Sequence, residues 1–325
     1  MSNLSISSTI DNVAWDNFLK KSQNKNIYSH SIYLENLGEK FEKFFVKKDK
    51  EIFASFFLRS DKKLINLSDK IIYTPVVFKN FIDKPLSSIN TSKFEIINEI
   101  KNFFVKNYTR IEFTSDYCFN DLRPFYWHNF DINKEIFRLK ELKYTSVVDL
   151  SKIDDAKNLE QTSFFKDLSV RVRQQFNYAK SKRKYILNIN FCEETFKNTI
   201  IKTFERQNKK VNFDLSLHCK ILEKLNKEGL VYMISVEESG VKKAFLLFSR
   251  LENQSIYLFG GRMTDDKDDY SLTYGMINSF VNLKNLGVSY VDLEGINSPK
   301  RGFNKLGYGG SILPYYTIEM SYNHD

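Results

Sequence analysis

The sequence predicts an α/β protein, more closely an α+β protein, with two similar halves in which helices flank a mixed, twisted sheet. Two observations carry this prediction. The same succession of short strands, one helix and one further strand occurs twice, and 42% of the 325 residues are hydrophobic, which is enough for real cores. The length also fits two domains of roughly 100–200 residues each.

The first copy of this plan lies in the N-terminal half. Alternating apolar residues in 40–68 are interrupted by turns at 48–50 and 60–61, which is typical of a three-stranded β-meander. Apolar residues then recur at helical spacing in 92–108. The sequence "RIEFTSD" (110–116) follows as the next predicted strand.

The second copy lies in the C-terminal half. Three alternating strands are predicted in 229–262, with turns at 238–240 and 252–254. A helix is predicted over 271–287, where a glycine ends it, and the strand "VSYVDLEG" (288–295) follows. Because both halves follow one plan, we interpret the chain as a duplicated domain.

The segment between the two copies, 164–191, is predicted to be a helix that runs into a strand. Its basic residues are Arg171, Arg173, Lys180, Lys182, Arg183 and Lys184. The polar sequence "DLSKIDDAKN" (149–158) precedes this segment and indicates a boundary near 145–160. The sequence therefore predicts domains of 1–150 and 151–325.

The net charge and the cysteines indicate the kind of partner and the cellular compartment of the protein. A net charge of +9 favours anionic partners such as nucleic acid or phosphates, although excess lysine is also typical of solvated faces. No apolar run approaches the ~20 residues of a membrane span, and the N-terminus lacks the features of a signal peptide. Three distant cysteines argue for a reducing compartment. We expect a cytoplasmic protein.

Common catalytic signatures are missing from the sequence. It contains no nucleophile elbow of the GxSxG type, no Walker loop, no HExxH and no GxGxxG. The four histidines do not cluster, and the cysteines form no CxxC pair. We therefore predict neither a metal site nor a nucleophile of the serine or cysteine hydrolase type.

The strand and loop "VDLEGINSPKRGFNKLGYGG" (291–310) are the strongest candidate for chemistry. A strand here ends in a carboxylate, Glu294, and a polar, glycine-rich loop follows. If this strand splays from its parallel neighbour "SIYLFGGR" (255–262), the exposed backbone accommodates a linear thioester substrate. The helix between the two strands then points its N-terminus at phosphate. A backbone N–H near Phe259 or Gly260 would face a tetrahedral oxyanion.

Four segments in this order resemble the GNAT superfamily, and within it the Fem-type, methicillin-resistance-like N-acyltransferases. They are "WDNFLKKSQNKNIYSHSIYLENLG" (15–38), "TFERQNKK" (203–210), "AFLLFSRLENQSIYLFGGR" (244–262) and "VDLEGINSPKRGFNKLGYGGSILPYYTIEM" (291–320). The resemblance covers most of the chain and implies tandem GNAT-like domains. We expect the first domain to be degenerate, because it lacks a counterpart to "EGINSPKRGFNK" (294–305). One departure is that the superfamily's pyrophosphate loop is missing. The sequence "GGRMTDDKDDYS" (260–271), with Asp265, Asp266, Asp268 and Asp269, takes its place.

The resemblance implies direct transfer of an acyl group to an amine, without a covalent enzyme intermediate. Our first expectation is transfer from acyl-CoA to a nucleotide-linked amino sugar for surface polysaccharides. The alternative is a Fem-type enzyme that takes an aminoacyl group from tRNA for a peptidoglycan precursor. A scaffold without catalytic activity is the third reading.

Within this mechanism the predicted site residues fall into three groups. The catalytic candidates are Glu294 or Asp292 as the base that deprotonates the amine, and Lys305, which matches the family's loop lysine and is assigned to phosphate or the oxyanion. The substrate-binding candidates are Arg206 as a phosphate clamp, Arg171, Tyr257, Asn297 and Phe303. The acyl-CoA candidates are Phe259, Gly260, Gly261 and Tyr274. For each of these residues, a purely structural role is the other reading.

Overall fold

A computed structural model describes residues 4–321 of the chain, except 62, 63, 67, 69, 74, 75, 120, 133, 156, 265, 267 and 268. Contacts divide the chain into two compact units, Met1–Lys143 with Pro314–Asp325, and Tyr144–Leu313. The C-terminal residues thus group with the first unit. The domain boundaries 1–150 and 151–325 stay a prediction.

The first unit is built around the predicted meander. Its elements are β1 (Leu4–Thr9), α1 (Asn12–Lys21), α2 (Ser31–Asn36), β2 (Phe41–Lys48), β3 (Glu51–Asp61), β4 (Leu64–Asn66), β5 (Val77–Phe78), α3 (Leu86–Asn107), β6 (Arg110–Thr114), α4 (Arg123–Tyr126) and the start of β7 (Ile136–Asp149). The strands β1, β2, β3 and β4 pair antiparallel in sequence order, and β4 pairs with β6 in parallel. The predicted order of meander, helix and strand is confirmed.

Aromatic packing holds α3 against the sheet of the first unit. Ile97, Ile100 and Phe104 recur at helical spacing and are buried. The ring of Phe104 lies 5.8 Å from that of Phe56 on β3 and 5.5 Å from that of Phe113 on β6. The apolar stripe of the helix and the inward faces of the strands therefore form one core.

The second unit repeats this plan and adds helices. Its elements after β7 are α5 (Ser163–Asp167), α6 (Val170–Lys182), β8 (Ile186–Asn188), α7 (Glu193–Glu205), α8 (Leu215–Lys227), β9 (Val231–Glu238), β10 (Val241–Leu251), β11 (Gln254–Arg262), α9 (Ser271–Asn285), β12 (Tyr290–Asp292), α10 (Pro299–Leu306) and the start of β13 (Ser311–Ser321). The strand order is β7-β12-β11-β10-β9-β8. The meander is β9-β10-β11, and β12 is parallel to β11. The predicted fold class, mixed sheets flanked by helices, is confirmed in both units.

The structure corrects two expectations about local structure. Residues 164–191 do not form one helix. The short α5 ends at Asp167, and Ser169 caps a second helix, α6, by accepting a hydrogen bond from the backbone N–H of Val172. The polar segment 294–305 is not wholly a loop, because α10 begins at Pro299, a residue that suits the first turn of a helix.

The helix α9 is the central support of the second unit. Phe280 is fully buried, and its ring lies 5.8 Å from that of Phe164, 6.4 Å from that of Phe248 and 5.9 Å from that of Tyr308. Gly275 lets the helix approach the sheet closely, since a Cβ there would lie 2.6 Å from the Cδ1 atom of Leu246. The first half of α9 is therefore held close to β9 and β10.

None of the helices in the described part of the chain combines the length and apolarity needed to cross a bilayer. Among the same residues, histidine, cysteine and acidic side chains do not come together in a group of three that suits a metal ion.

We expect Phe280→Ala to lower the free energy of unfolding by about 3–5 kcal/mol, because it removes a ring that three other rings contact. Equilibrium unfolding in urea measures this loss. The matched control is Leu286→Ala at the exposed end of the same helix, where we expect a change within about 0.5 kcal/mol. Equal losses for the two variants would contradict the packing role of Phe280.

The three cysteines are free thiols, and the surroundings of two of them shift the thiol pKa in opposite directions. A hydrogen bond with the Thr195 side chain lowers the pKa of Cys192, whereas burial raises the pKa of Cys219 to about 11. At pH 8 we expect iodoacetamide to modify Cys192 much faster than Cys219, because the thiolate is the nucleophile. Peptide mapping over time measures both rates, and faster modification of Cys219 would contradict the assignment.

Candidate functional site

The predicted splay between β11 and β12 is present. The two strands pair in parallel only from Gln254↔Tyr290 to Ile256↔Asp292. Beyond this point β12 gives way to a segment held by β7, in which the backbone N–H of Leu293 donates to the carbonyl of Ser146. The strand β11 continues to Arg262 paired with β10, with a bulge at Leu258, but among the described residues it has no further strand partner on the β12 side. One edge of β11 is therefore open.

A cavity of about 550 Å³ lies along this open edge, within the second unit. Residues of six elements and their flanking loops line it. They are Arg171, Val172, Gln175, Thr203, Phe204, Gln207, Tyr257, Leu258, Phe259, Gly260, Arg262, Asp269, Tyr270, Leu272, Thr273, Met276, Glu294, Asn304, Lys305 and Tyr308. The lining combines cations, carboxylates, neutral hydrogen-bonding groups and aromatic rings, as is typical of a ligand site.

Tyr257 and Gly260 occupy the bulged part of β11. The Tyr257 hydroxyl lies so close to the Cα of Gly260 that a Cβ at this position would overlap it. The absence of a side chain at Gly260 therefore makes room for the tyrosine ring. Burial raises the pKa of Tyr257, and the charge of Glu294 acts in the same direction. The hydroxyl thus stays protonated at working pH and is available as a donor.

Glu294 and Lys305 meet at the end of β12. Glu294 has a left-handed backbone with φ 58°, a conformation that costs a non-glycine residue about 1 kcal/mol or more. Its backbone N–H donates to the carboxylate of Asp292 at 2.8 Å. The Nζ of Lys305 on α10 donates to the carbonyl of Gly295 at 3.4 Å and lies 5.8 Å from the ring centre of Tyr257. A carboxylate and an ammonium therefore line the same part of the cavity.

Polar side chains from α6, α9, α10 and the turn after α10 form another wall of the cavity. Thr273 donates to Gln175 at 2.9 Å and shares a hydrogen bond with Tyr308. Burial raises the pKa of Tyr308 to about 12, although Thr273 and the charge of Arg171 act to lower it. The guanidinium of Arg171 donates to Asn304 at 2.8 Å. This wall is thus neutral apart from one arginine.

Asp269 lies immediately before α9 and is almost completely buried. Its Oδ1 atom accepts hydrogen bonds from the backbone N–H of Ser271 at 2.9 Å and from the Tyr185 hydroxyl at 2.7 Å. A carboxylate of the protein therefore occupies the helix N-terminus that was expected to face phosphate. Of the other aspartates in the substituted pyrophosphate loop, Asp266 is exposed, while Asp265 and Asp268 lie outside the described residues.

The structure brings together half of the residues predicted from the sequence. Glu294, Lys305, Tyr257, Phe259, Gly260 and Arg171 line the cavity. The other six do not belong to its lining: Asp292, Arg206, Asn297, Phe303, Gly261 and Tyr274. No observation decides their roles in binding or catalysis, so those assignments stay predictions.

The contacts of these six residues support the protein framework. Asp292 is 2% exposed and accepts hydrogen bonds from Thr145 and the backbone of Glu294. Asn297 bonds both backbone groups of Tyr144, at 2.7 and 3.0 Å.

The remaining four lie near the cavity. Arg206 is the C-cap residue of α7 and donates to the carbonyl of Arg262 at 2.5 Å. The absence of a side chain at Gly261 lets Thr203 on α7 lie close to the backbone of β11. The ring of Tyr274 stacks on that of Phe176. Phe303 is 70% exposed, under the guanidinium of Arg171.

Sequence reasoning missed the polar residues that other elements supply. They are Gln175, Thr203, Gln207, Arg262, Asp269, Tyr270, Thr273, Asn304 and Tyr308. Two signals in the sequence point to some of them. Gln175 lies one helical turn after Arg171, so the two share a face of α6. Asp269 stands two residues before Ser271, the spacing at which an aspartate side chain accepts a backbone N–H in an Asx turn.

We expect Asp292→Ala to lower the free energy of unfolding by about 2–4 kcal/mol, because it leaves the Thr145 hydroxyl and the Glu294 N–H without their acceptor. A double-mutant cycle with Thr145→Val tests this cause. In the Asp292→Ala background, Thr145→Val removes a donor that has lost its partner, so we expect it to cost little. Fully additive losses in urea unfolding would show that the two side chains do not depend on each other.

The chain is similar in fold to several solved protein structures. No family model and no curated protein sequence matches it. The crystal structure of FemX matches with a TM-score of 0.67 at 13% identity, covering 96% of each chain. A conserved protein of unknown function from Bacteroides thetaiotaomicron VPI-5482 matches with a TM-score of 0.57 at 13% identity, covering 98% of this chain and 100% of the other. L-PGS from Bacillus licheniformis matches with a TM-score of 0.53 at 14% identity, covering 95% and 91%. The chain therefore has the fold of FemX, in agreement with the resemblance to Fem-type proteins of the GNAT superfamily.

Proposed function

We propose that the protein is an N-acyltransferase that moves an aminoacyl group from tRNA to the amine of a phosphate-bearing acceptor. The fold shared with FemX and the cavity at the splayed strands support acyl transfer. The choice of an aminoacyl ester as donor, over acyl-CoA, depends on one observation at the start of α9.

That observation is the position of Asp269. A pyrophosphate at the N-terminus of α9 would meet a buried carboxylate that already accepts the N–H of Ser271. Like charges at short range in a poorly solvated site repel strongly. The terminal ester of an aminoacyl-tRNA places no pyrophosphate there, so this donor avoids the conflict.

The proposed reaction uses the two charged groups at the end of β12. Glu294 takes a proton from the acceptor ammonium, and the free amine attacks the ester carbonyl. The carbonyl carbon forms a bond to nitrogen and then loses its bond to the ribose oxygen, which leaves as a hydroxyl after taking a proton. Lys305 and the Tyr257 hydroxyl stabilise the oxyanion of the tetrahedral intermediate. We assign Asp292 a positioning role, because it holds the backbone of Glu294.

The acceptor we propose is a nucleotide-linked peptidoglycan precursor, as the resemblance to Fem-type enzymes implies. Arg171 and Arg262 in the cavity lining are suited to phosphate oxygens, and Arg206 beside Arg262 extends this basic region. Charged tRNA and such precursors are both found in the cytoplasm, where we place the reaction.

A second candidate is transfer from acyl-CoA to a nucleotide-linked amino sugar. The open edge of β11 favours it, because backbone groups on an unpaired strand edge can form hydrogen bonds with the amide groups of a pantetheine chain. The two candidates share the acceptor's phosphates and differ in the donor.

One experiment separates the candidates. The purified protein is incubated with tRNA charged with labelled amino acids and a nucleotide-linked peptidoglycan precursor, and in parallel with acyl-CoAs and nucleotide-linked amino sugars. We expect a product whose mass has increased by one aminoacyl group, only with charged tRNA. Thiol release with an acylated sugar would support the second candidate instead. Absence of transfer in both arms would favour a scaffold.

We expect Glu294→Gln and Lys305→Ala to lower kcat by about 10²–10⁴-fold, since one removes the base and the other a charge at the oxyanion. The controls are Glu228→Gln and Lys220→Ala. They change the same types of side chain at exposed positions outside the cavity lining, and both should keep full activity. If both site variants are folded and as active as the controls, the assignment is wrong.

A further inference from the structure

An exposed aromatic ring stands at the mouth of the cavity. Phe303 on α10 is 70% exposed, which alone needs no explanation, because single apolar side chains are common on protein surfaces. Its surroundings are less common. The next residue, Asn304, lines the cavity, and so does Arg171, whose guanidinium carbon lies 5.7 Å from the centre of the Phe303 ring. Asn304 and Arg171 are also exposed, so the ring adjoins the rim of the cavity.

The backbone that carries this ring is held in place. The backbone N–H of Gly302 donates to the carbonyl of Ser298 at 2.7 Å. A Cβ at Gly302 would lie 2.2 Å from the carbonyl oxygen of Ile296, so α10 packs directly on the segment before it. Phe303 therefore presents its ring from a fixed helix, and a ligand that stacks on it need not order a loop first.

One face of the Phe303 ring is covered and the other is free. The guanidinium of Arg171 lies over the ring, in the geometry of a cation–π contact. No second aromatic ring contacts Phe303 within the part of the chain that the structure describes, and most of its surface is open to solvent. A free aromatic face on a protein surface suits a planar ligand ring that stacks on it.

The side chain of Arg171 supplies a positive charge beside this ring. A guanidinium has several N–H donors, of which Arg171 uses one for Oδ1 of Asn304 at 2.8 Å. It forms no ion pair with any carboxylate among the described residues. Its remaining donors suit phosphate oxygens. The bond to Oδ1 also leaves the amide nitrogen of Asn304 as a donor for a ligand oxygen.

We propose that Phe303 and Arg171 form a nucleotide subsite, in which the base of the acceptor stacks on the ring and its diphosphate binds the guanidinium. This inference rests on the proposed function, in which both candidates use a nucleotide-linked acceptor. A single ribose joins a base to its first phosphate, and a ribose can bridge the 5.7 Å between the guanidinium carbon and the ring centre. Phe303 is thus a specificity-determining residue that selects acceptors with a base.

The terminal adenosine of the donor is the other source of a base. The acceptor is the better match, because its base is followed by a diphosphate that can use the donors of Arg171. The ribose of the terminal adenosine carries the reacting ester, which places it at Glu294 and Lys305 inside the cavity, whereas Phe303 is not part of the cavity lining.

The test measures the binding of small probes by calorimetry and needs no turnover. The probes are uridine diphosphate and ribose 5-diphosphate, which has a hydroxyl in place of the base. We expect the native protein to bind uridine diphosphate about 10-fold more tightly or better, the size of one base–ring stack. In Phe303→Ala we expect this preference to fall to about one, with the affinity for ribose 5-diphosphate unchanged.

Four further variants separate stacking from other effects. Phe303→Trp keeps an aromatic face and should keep the preference, whereas Phe303→Leu keeps apolar bulk without that face and should lose it. Phe130→Ala changes another exposed phenylalanine, in the first unit, and should alter neither affinity. Arg171→Gln should weaken both probes alike, because both carry the diphosphate. Equal binding of both probes by the native protein, no binding of either, or an undiminished preference in Phe303→Ala would overturn the inference.

A third probe separates the two sources of the base. It is the trinucleotide CCA, the unpaired 3′ end of tRNA, and we expect Phe303→Ala to bind it as the native protein does. If this variant loses affinity for the trinucleotide and keeps its affinity for uridine diphosphate, the ring belongs to the donor and the inference is wrong.

The outcome is independent of the activity assay. A base preference that depends on Phe303, without acyl transfer from any donor, would keep the nucleotide subsite and remove the proposed function. Acyl transfer by a protein that shows no base preference would keep the function and remove the subsite.

Discussion

The site depends on how soon two parallel strands stop pairing. β11 and β12 share three residue pairs, after which Leu293 and Ile296 stay bonded to β7 while the backbone N–H of Glu294 donates to the carboxylate of Asp292. Since a backbone N–H has one strong bond to give, the use of the Glu294 N–H by a side chain leaves β11 without a strand partner on that side. The cavity, the open strand edge and the meeting of Glu294 with Tyr257 all follow from this change of partner.

The charged side chains around the cavity come from different helices and strands. Glu294 follows the end of β12 and Lys305 lies on α10, whereas Asp269 stands just before α9. The lining also contains tyrosines and amide or hydroxyl side chains, and burial keeps Tyr257 and Tyr308 neutral. Separated charges in a poorly solvated cavity are useful for orienting a substrate that itself carries charge at more than one point.

The sequence was sufficient for features set by local pattern. Strands, turns and α9 were predictable, because alternation and helical spacing are properties of neighbouring residues. Glu294 was found because a carboxylate directly follows a strand. The partners of Gln175, Arg171 and Thr273 were not predictable, since their hydrogen bonds join residues 98 and 133 positions apart. The helix α10 was missed because Gly302 suggested a loop, whereas the glycine is required by the nearby carbonyl of Ile296, against which a Cβ would clash.

The path of the chain through the first unit has a consequence for its synthesis. β6 pairs with the last part of β13, and the buried hydroxyls of Thr114 and Thr317 bond to each other across 203 positions of sequence. A ribosome adding ~5–20 residues per second needs about 10–40 s to cover that distance. During this time one edge of β6 lacks its neighbour and is open to pairing with other chains. The unpaired edge of β6 is therefore a property of the nascent chain alone, because β13 covers it once the last residues have joined the sheet.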